Sequence, residues 1–396
     1  MTGVGTRPAA VRSRRAGEGG VKVTARTAII EALPIWLASR LAVALAALGG
    51  IWVVQGREAG EVASWLEVWQ HWDADLFVKV AEFGYPPTSA YADRTEVDFP
   101  MMPLALRLVY LFTGNWTAAG LIVSLVAGGV AACALYHLAA SEWGPAAGKR
   151  AVLYLVTFPY AVFLFAGYSE GLFLAFATTA WVFARKGRWR EAGLLAAGAS
   201  FTRVLGLCVA AGVAVEYLVW AWRRGGLREV VRPRILWLAT PLVSVAVFVT
   251  YLWWRTGQWD AYQEAQEAGW SRHTASPIEG FRTVWRQANW PGQPGEYAWS
   301  WRAEMLAVLG GLVVAVLLFA LRRWGEATYV GTSAVLLAAQ NYYASSVRAA
   351  LVWFPVYLLL ARVTVRREWL HHCVVAGTAP LMIVFVLVFN EGRWVG

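Results

Sequence analysis

The stretch HWDADLF brings His71, Asp73 and Asp75 together in a polar segment between two apolar runs. Around it, Val62, Trp65, Leu66, Trp69, Leu76 and Val80 follow the i, i+3, i+4, i+7 spacing of an amphipathic helix. On one continuous helix at ~100° per residue, Asp73 falls inside the apolar stripe and Asp75 nearly opposite. Partial burial disfavours the charged form of a carboxylate and lifts its pKa towards neutrality, which suits removal of a proton from a hydroxyl group. The competing reading is an acid satisfied by a neighbouring backbone group or an arginine. One histidine and two aspartates without an outlying fourth donor are a weak metal signature, so no metal or other cofactor is assigned.

Arginine is the other residue type here with chemistry to offer. A guanidinium forms bidentate, charge-assisted hydrogen bonds to phosphate, and an arginine beside hydrocarbon is costly unless it has a partner. Arg203 and Arg348 both interrupt apolar sequence. Arg107 follows Pro103 by four residues, where it serves the same anion or snorkels to the interface. The alternative for Arg203 and Arg348 is pairing with an internal acid such as Glu170.

The elements that must position these residues are membrane spans. Of 396 residues, 58% are hydrophobic and 15% charged, and the apolar residues fall in runs such as LIVSLVAGGVAACALYHLAA, long enough to span hydrocarbon. Many of the 24 Trp sit at run ends, as in an interfacial aromatic belt. The formal charge of +10 is confined to short loops, which makes it an orientation signal and not a nucleic-acid footprint. Cys133, Cys208 and Cys373 each lie in apolar sequence and read as small packed hydrophobes.

Residues 1–26 are Arg-, Gly- and Ala-rich and lack the apolar core of a signal peptide; they are expected to form a disordered cytoplasmic tail ahead of a single domain over 27–396. Basic residues before Ala28 place the N-terminus inside, and Lys149, Arg150, Arg185–Arg190 and Arg223–Arg224 mark further inner loops. The stretch 191–222 is too long for a loop and must return to the inside, which predicts two short helices hinged near Thr202 to Gly206. Continuing by the same rule gives about eleven spans, the later ones at about 235–254, 303–321, 327–342, 349–360 and 374–389. Two large outer loops result, 55–115 and 256–300.

Longer motifs carry a family resemblance. HWDADLFVKVAEFGYP followed by VDFPMMPLALR, then FPYAVFLFAGYSEGLFLAFA, ASFTRVLGL and SSVRAALVWFPVYLLLA, resemble in order the conserved segments of the PIG-V-like mannosyltransferases, the GPI mannosyltransferase II family. Three positions depart from the family: Asp75 stands where eukaryotic members have Glu, Asp98 replaces an apolar residue, and the Asn after the arginine is missing from ValLeuGly at 204–206.

The resemblance implies an all-α, polytopic GT-C glycosyltransferase. It would be an inverting enzyme that moves mannose from a polyprenyl-phosphate carrier to a lipid or glycan acceptor on the extracytoplasmic face of the plasma membrane. Asp73 would be the base with Asp75 assisting. Arg203, Arg348 and Arg107 would hold the carrier phosphate, and His71, Trp72, Tyr168, Ser169 and Glu170 would contact substrate. Independently, the basic-loop topology brings Asp73, Asp75, the 167–170 turn, the 202–203 hinge and Ser345–Arg348 to the outer side.

A GT-C transferase for another sugar or a protein acceptor is the alternative. A secondary transporter is less well matched, because such folds usually have two similar halves and mid-span ionisable groups. Arg far outnumbers Lys, as in proteins of GC-rich bacteria, where GPI assembly is absent. A phosphatidylinositol mannoside, a lipoglycan or a secreted protein would then be the acceptor. The orientation is testable: cysteine at Ser89 should react with an impermeant thiol reagent on intact cells and cysteine at Gly187 should not, and the reverse pattern would invert the topology.

Overall fold

In the computed structural model the described residues are 23–55, 64–86 and 94–395. Most of the tail expected at 1–26, and Ser89, lie outside them. The described chain is all-α, its only strand-like pairing being an isolated bridge between Thr274 and Gln340. In chain order the helices are α1 (Ala25–Gly50), α2 (Asp73–Phe83), α3 (Met101–Thr113), α4 (Trp116–Trp143), α5 (Pro145–Thr157) and α6 (Glu170–Arg185). There follow α7 (Trp189–Thr202), α8 (Gly206–Gly225), α9 (Leu227–Val230), α10 (Thr240–Thr256), α11 (Ala261–Trp270) and α12 (Pro277–Ala288). The last five are α13 (Gly295–Ala320), α14 (Trp324–Ala338), α15 (Ser346–Leu351), α16 (Phe354–Thr364) and α17 (Glu368–Asn390).

Six of these segments are long and apolar enough to cross a membrane, at Ala25–Val53, Trp116–Trp143, Gly206–Gly225, Pro233–Thr256, Tyr297–Ala320 and Glu368–Asn390. The chain is a multi-pass membrane protein. Local chemistry sets the ends of several helices. Asn115 caps α4 by accepting from the Ala118 N–H at 2.8 Å, Gly144 ends it at φ 88°, and Pro145 opens α5 at its first turn. The hinge expected near 202–206 is a break between α7 and α8. Gly206 is required there, because a Cβ would stand 2.2 Å from the Ser200 backbone.

The structure departs from the single amphipathic helix expected around Asp73. Ser64 and Glu67 form a reciprocal capping box, with the Ser64 N–H donating to Glu67 Oε2 at 2.6 Å and the Glu67 N–H to Ser64 Oγ at 3.3 Å. That box starts only a short 3₁₀ turn, Glu67–Trp69. Buried Trp69 packs on Phe165 and Phe389, with ring centroids 4.6 and 6.2 Å away. The chain then reverses at Trp72, whose φ is 58°, before α2 begins at Asp73. Tertiary packing of Trp69 outweighs the helical period, and Asp73 becomes a first-turn residue of α2.

The late span expected over 349–360 is likewise divided, into α15 and α16, and α14 ends at Ala338 instead of continuing to Tyr342. The second large loop is ordered as α11, α12 and the first turns of α13.

At one end of the bundle, Arg185 of α6 and Arg323 surround Glu326 of α14. Arg185 Nη2 lies 2.9 Å and Arg323 Nη2 2.6 Å from its Oε1, while Arg323 also binds Glu142 of α4 at 2.6 Å. The Glu326 side chain is fully buried. Glu326→Ala would remove the buried counter-ion that Arg185 and Arg323 share while leaving them Glu142, at a cost of about 1–3 kcal/mol. A lower unfolding temperature in detergent, well beyond that of the exposed-pair variant Arg188→Ala, is the expected result.

Candidate functional site

The opposite end of α6, about 24 Å away at 1.5 Å per residue, carries the second charge cluster. Glu170 is the first residue of α6 and is fully buried. Its position follows from a close approach of two glycines: a Cβ on Gly120 of α4 would come 2.9 Å from the Gly167 Cα. Ser124 then donates to the Ala166 carbonyl at 2.6 Å, which fixes the turn. From the other side, buried Arg40 of α1 donates to the Ala161 carbonyl at 3.1 Å. Arg40 went unnoticed in the sequence because it sits inside an apolar run with no acid nearby.

Glu170 pairs with two arginines. Arg203, in the break between α7 and α8, donates through Nη1 to Glu170 Oε1 and to Ser169 Oγ, the latter at 3.1 Å. Arg348 of α15 places Nε 3.3 Å from the same Oε1 and Nη1 2.8 Å from Asp73 Oδ2. Four charged groups from four separate segments, Asp73, Glu170, Arg203 and Arg348, thus form one chain of alternating sign. Phe163, Tyr168 and Trp394 line the Arg348 guanidinium at 5.3, 5.6 and 5.8 Å, within cation–π range. Pairing with an internal acid, the alternative for Arg203 and Arg348, is the arrangement observed.

Asp73, Arg203 and Arg348 form the floor of a cavity of about 940 Å³, with Glu170 beneath them; its walls are Trp72, Asp98, the α11–α12 region, Trp301, Glu304 and the 340–345 segment. Trp72 stands edge-on to Trp394 at 5.3 Å, so the residues after α17 close one side. Tyr168 lies beneath, its hydroxyl donating to the His71 carbonyl at 3.0 Å. Glu304 of α13 accepts from the Ser346 and Val347 N–H groups at 2.5 and 3.3 Å. It thereby caps the short helix that carries Arg348.

Three sequence candidates stand apart from this cavity. Asp75 points away from it, accepting from Gln70 Nε2 at 3.0 Å, because a first-turn residue two positions after Asp73 lies on the other face of α2. Arg107 is exposed and donates to the Glu82 carbonyl at 3.2 Å beside a separate apolar cleft of about 330 Å³. His71 packs its ring edge-on to Phe389, 5.7 Å away, with Nε2 buried and unpartnered; burial lowers its pKa, against the opposing charge of Asp75. Among the described residues no three His, Cys, Asp or Glu side chains gather as a metal site.

Conversely, Asp98, Arg272, Glu304 and Trp394 line the cavity without having been read as site residues. Only Asp98 left a trace in the sequence, as an acid at an apolar position of the motif. Its carboxyl is buried with Oδ2 unpartnered. Burial pushes it well above the usual carboxylate range, reinforced by the charge on Asp73 and opposed by Arg203 and Arg348.

No protein-family model matches the chain, and no curated protein matches it by sequence. Among solved structures, the apo oligosaccharyltransferase of the archaeon Archaeoglobus fulgidus is similar with a TM-score of 0.41 at 11% identity, over 89% of this chain and 56% of that one. The same organism's oligosaccharyltransferase AglB, in complex with an inhibitory peptide and a dolichol-phosphate, has a TM-score of 0.38 at 11% identity, over 90% and 56%. The chain thus spans a little over half the length of these enzymes.

The proton on Asp98 has a thermodynamic consequence. A pKa raised on folding means that the folded state binds this proton more tightly than the unfolded chain. Its contribution to stability is complete below the ordinary aspartate pKa and is lost as pH rises through the folded value. Asp98→Asn does not titrate, so its melting temperature relative to wild type should rise from about pH 5 to about pH 8. A constant difference across that range would show that Asp98 is ionised throughout.

Proposed function

We propose that the protein is a GT-C type glycosyltransferase that transfers mannose from a polyprenyl-phosphate donor to a lipid or glycan hydroxyl at the extracytoplasmic membrane surface. The observation that carries this reading is the convergence of Asp73, Arg203 and Arg348, linked by buried Glu170 beneath them, on the floor of one large, aromatic-walled cavity at the end of a membrane bundle. The sequence resemblance to the PIG-V-like mannosyltransferases supports the sugar and the carrier.

In this reading Asp73 is the general base. Arg348 holds its Oδ2, leaving Oδ1 to take the proton of the acceptor hydroxyl. The acceptor oxygen attacks the anomeric carbon as the bond from that carbon to the phosphate oxygen breaks, and the bonding pair leaves with the phosphate. In-line attack by one activated hydroxyl inverts the anomeric centre and needs a single catalytic carboxylate. Arg203 and Arg348, engaged with the acids, set the carboxylate geometry and lend a positive field to the departing phosphate. Burial raises the Asp98 pKa, which favours its neutral carboxyl, a form able to donate a hydrogen bond to a sugar oxygen.

The test is transfer from radiolabelled polyprenyl-phosphate mannose by the purified protein in nanodiscs, with endogenous lipids as acceptors. Asp73→Asn should slow transfer by roughly 10²–10⁴-fold and leave donor binding nearly intact. Wild-type turnover by this variant would remove Asp73 as the base. Absence of transfer by the wild type from this donor, with turnover of another lipid-linked sugar, would replace mannose.

A further inference from the structure

We infer that Arg272, and not the arginines of the catalytic floor, is the side chain that grips the carrier phosphate, with the Tyr262 hydroxyl beside it. The inference rests on the lipid-phosphate reading given above and assigns a residue to its anionic group.

Charge balance points to this arginine. Arg203 and Arg348 lie within ion-pairing distance of Glu170 and Asp73, although Arg348 Nε and Nη1 make no hydrogen bond, so a phosphate could displace those carboxylates only by leaving buried Glu170 and half-buried Asp73 unpaired. Arg272 lines the same cavity from the α11–α12 link. Among the described residues it has no carboxylate within ion-pairing distance, and its buried Nε has no hydrogen-bond partner. A guanidinium in that state carries an unmet desolvation cost, which an anion in the cavity would offset. Burial lowers the Arg272 pKa, opposed by Tyr262, Tyr342 and Glu304, the last of which is spent on capping α15, and reinforced by the repelling charge of Arg348.

The position is also built. Ser271, at φ 49°, ends α11 in a left-handed turn, and the Arg272 N–H donates to the Gln266 carbonyl at 3.3 Å. The segment is pinned to the chain after α14: Asn341 Nδ2 donates to the Ser271 carbonyl at 2.8 Å, and the Asn341 N–H to the His273 carbonyl at 3.0 Å. Tyr342 donates its hydroxyl to the Trp270 carbonyl at 2.5 Å. Tyr262 accepts from Gln266 Nε2 at 3.3 Å, which leaves its own O–H free to donate. A forked cation and a hydroxyl, held on an anchored turn, match the oxygens of a phosphate ester.

Titration calorimetry of the intact protein in nanodiscs with farnesyl phosphate, farnesol and inorganic phosphate separates the possibilities. The wild type should bind farnesyl phosphate roughly 10- to 100-fold more tightly than farnesol. Arg272→Gln should bring that ratio near one without weakening farnesol, and without lowering the melting temperature, since no partner is orphaned. Arg272→Lys, which keeps the charge and loses the fork, should fall between. Inorganic phosphate should compete for the wild type and not for Arg272→Gln, and competition unaffected by the substitution would count against the assignment. A wild-type ratio retained in folded Arg272→Gln overturns the role of Arg272 alone, and one retained only in Arg272→Lys overturns the two-point grip. No preference for the phosphate in the wild type overturns the lipid-phosphate reading and this inference together.

Discussion

Buried Glu170 is the constraint on which the site depends. A carboxylate removed from water at the head of α6 must be matched by cations, and it is matched by two, Arg203 and Arg348, from segments far away in sequence. Two guanidinium charges on one carboxylate leave a positive surplus, which Asp73 balances through Arg348. The base of the proposed reaction is thus held in place by electroneutrality. Its orientation is inherited from an acid that lies below the cavity.

Helix interruptions make this possible. Continuous helices across a bilayer satisfy their own backbone and bring few polar side chains together. Here the chain leaves helical geometry at residues 70–72, 158–169, 203–205 and 339–345, all at the same end of α6. Side chains meet the freed backbone groups: Tyr168 at the His71 carbonyl, Arg40 at the Ala161 carbonyl and Glu304 at the Ser346 N–H. At the opposite end Glu326 ties α14 to α6 and anchors the bundle.

Strained and unpartnered groups stand at the cavity as well as elsewhere in the bundle. Trp72 and Ser345 hold left-handed φ values of 58° and 57° without being glycine. Glu170 Oε2, Asp98 Oδ2 and Arg272 Nε are buried without hydrogen-bond partners. Each of these features works against folding, and those at the cavity are available to a bound ligand.

The sequence by itself determined the apolar spans, the hinge between α7 and α8 and the polar segments that return to one end, because hydropathy and helix-breaking residues act over a single turn or span. It also singled out Asp73, Arg203 and Arg348 as residues needing partners, and offered Glu170 as one for the arginines. Only the tertiary structure decided who the partners are. Pairings such as Arg348 with Asp73 join residues hundreds of positions apart, and no local period encodes them. Asp75 and Arg107 share the motif with the site yet stand apart from it: Asp75 lies on the other face of α2 and accepts from Gln70, and Arg107 of α3 turns to the Glu82 carbonyl. Arg272 and Trp394 sit in stretches without any pattern, and they enter the cavity because a pinned turn and a folded-back terminus place them there.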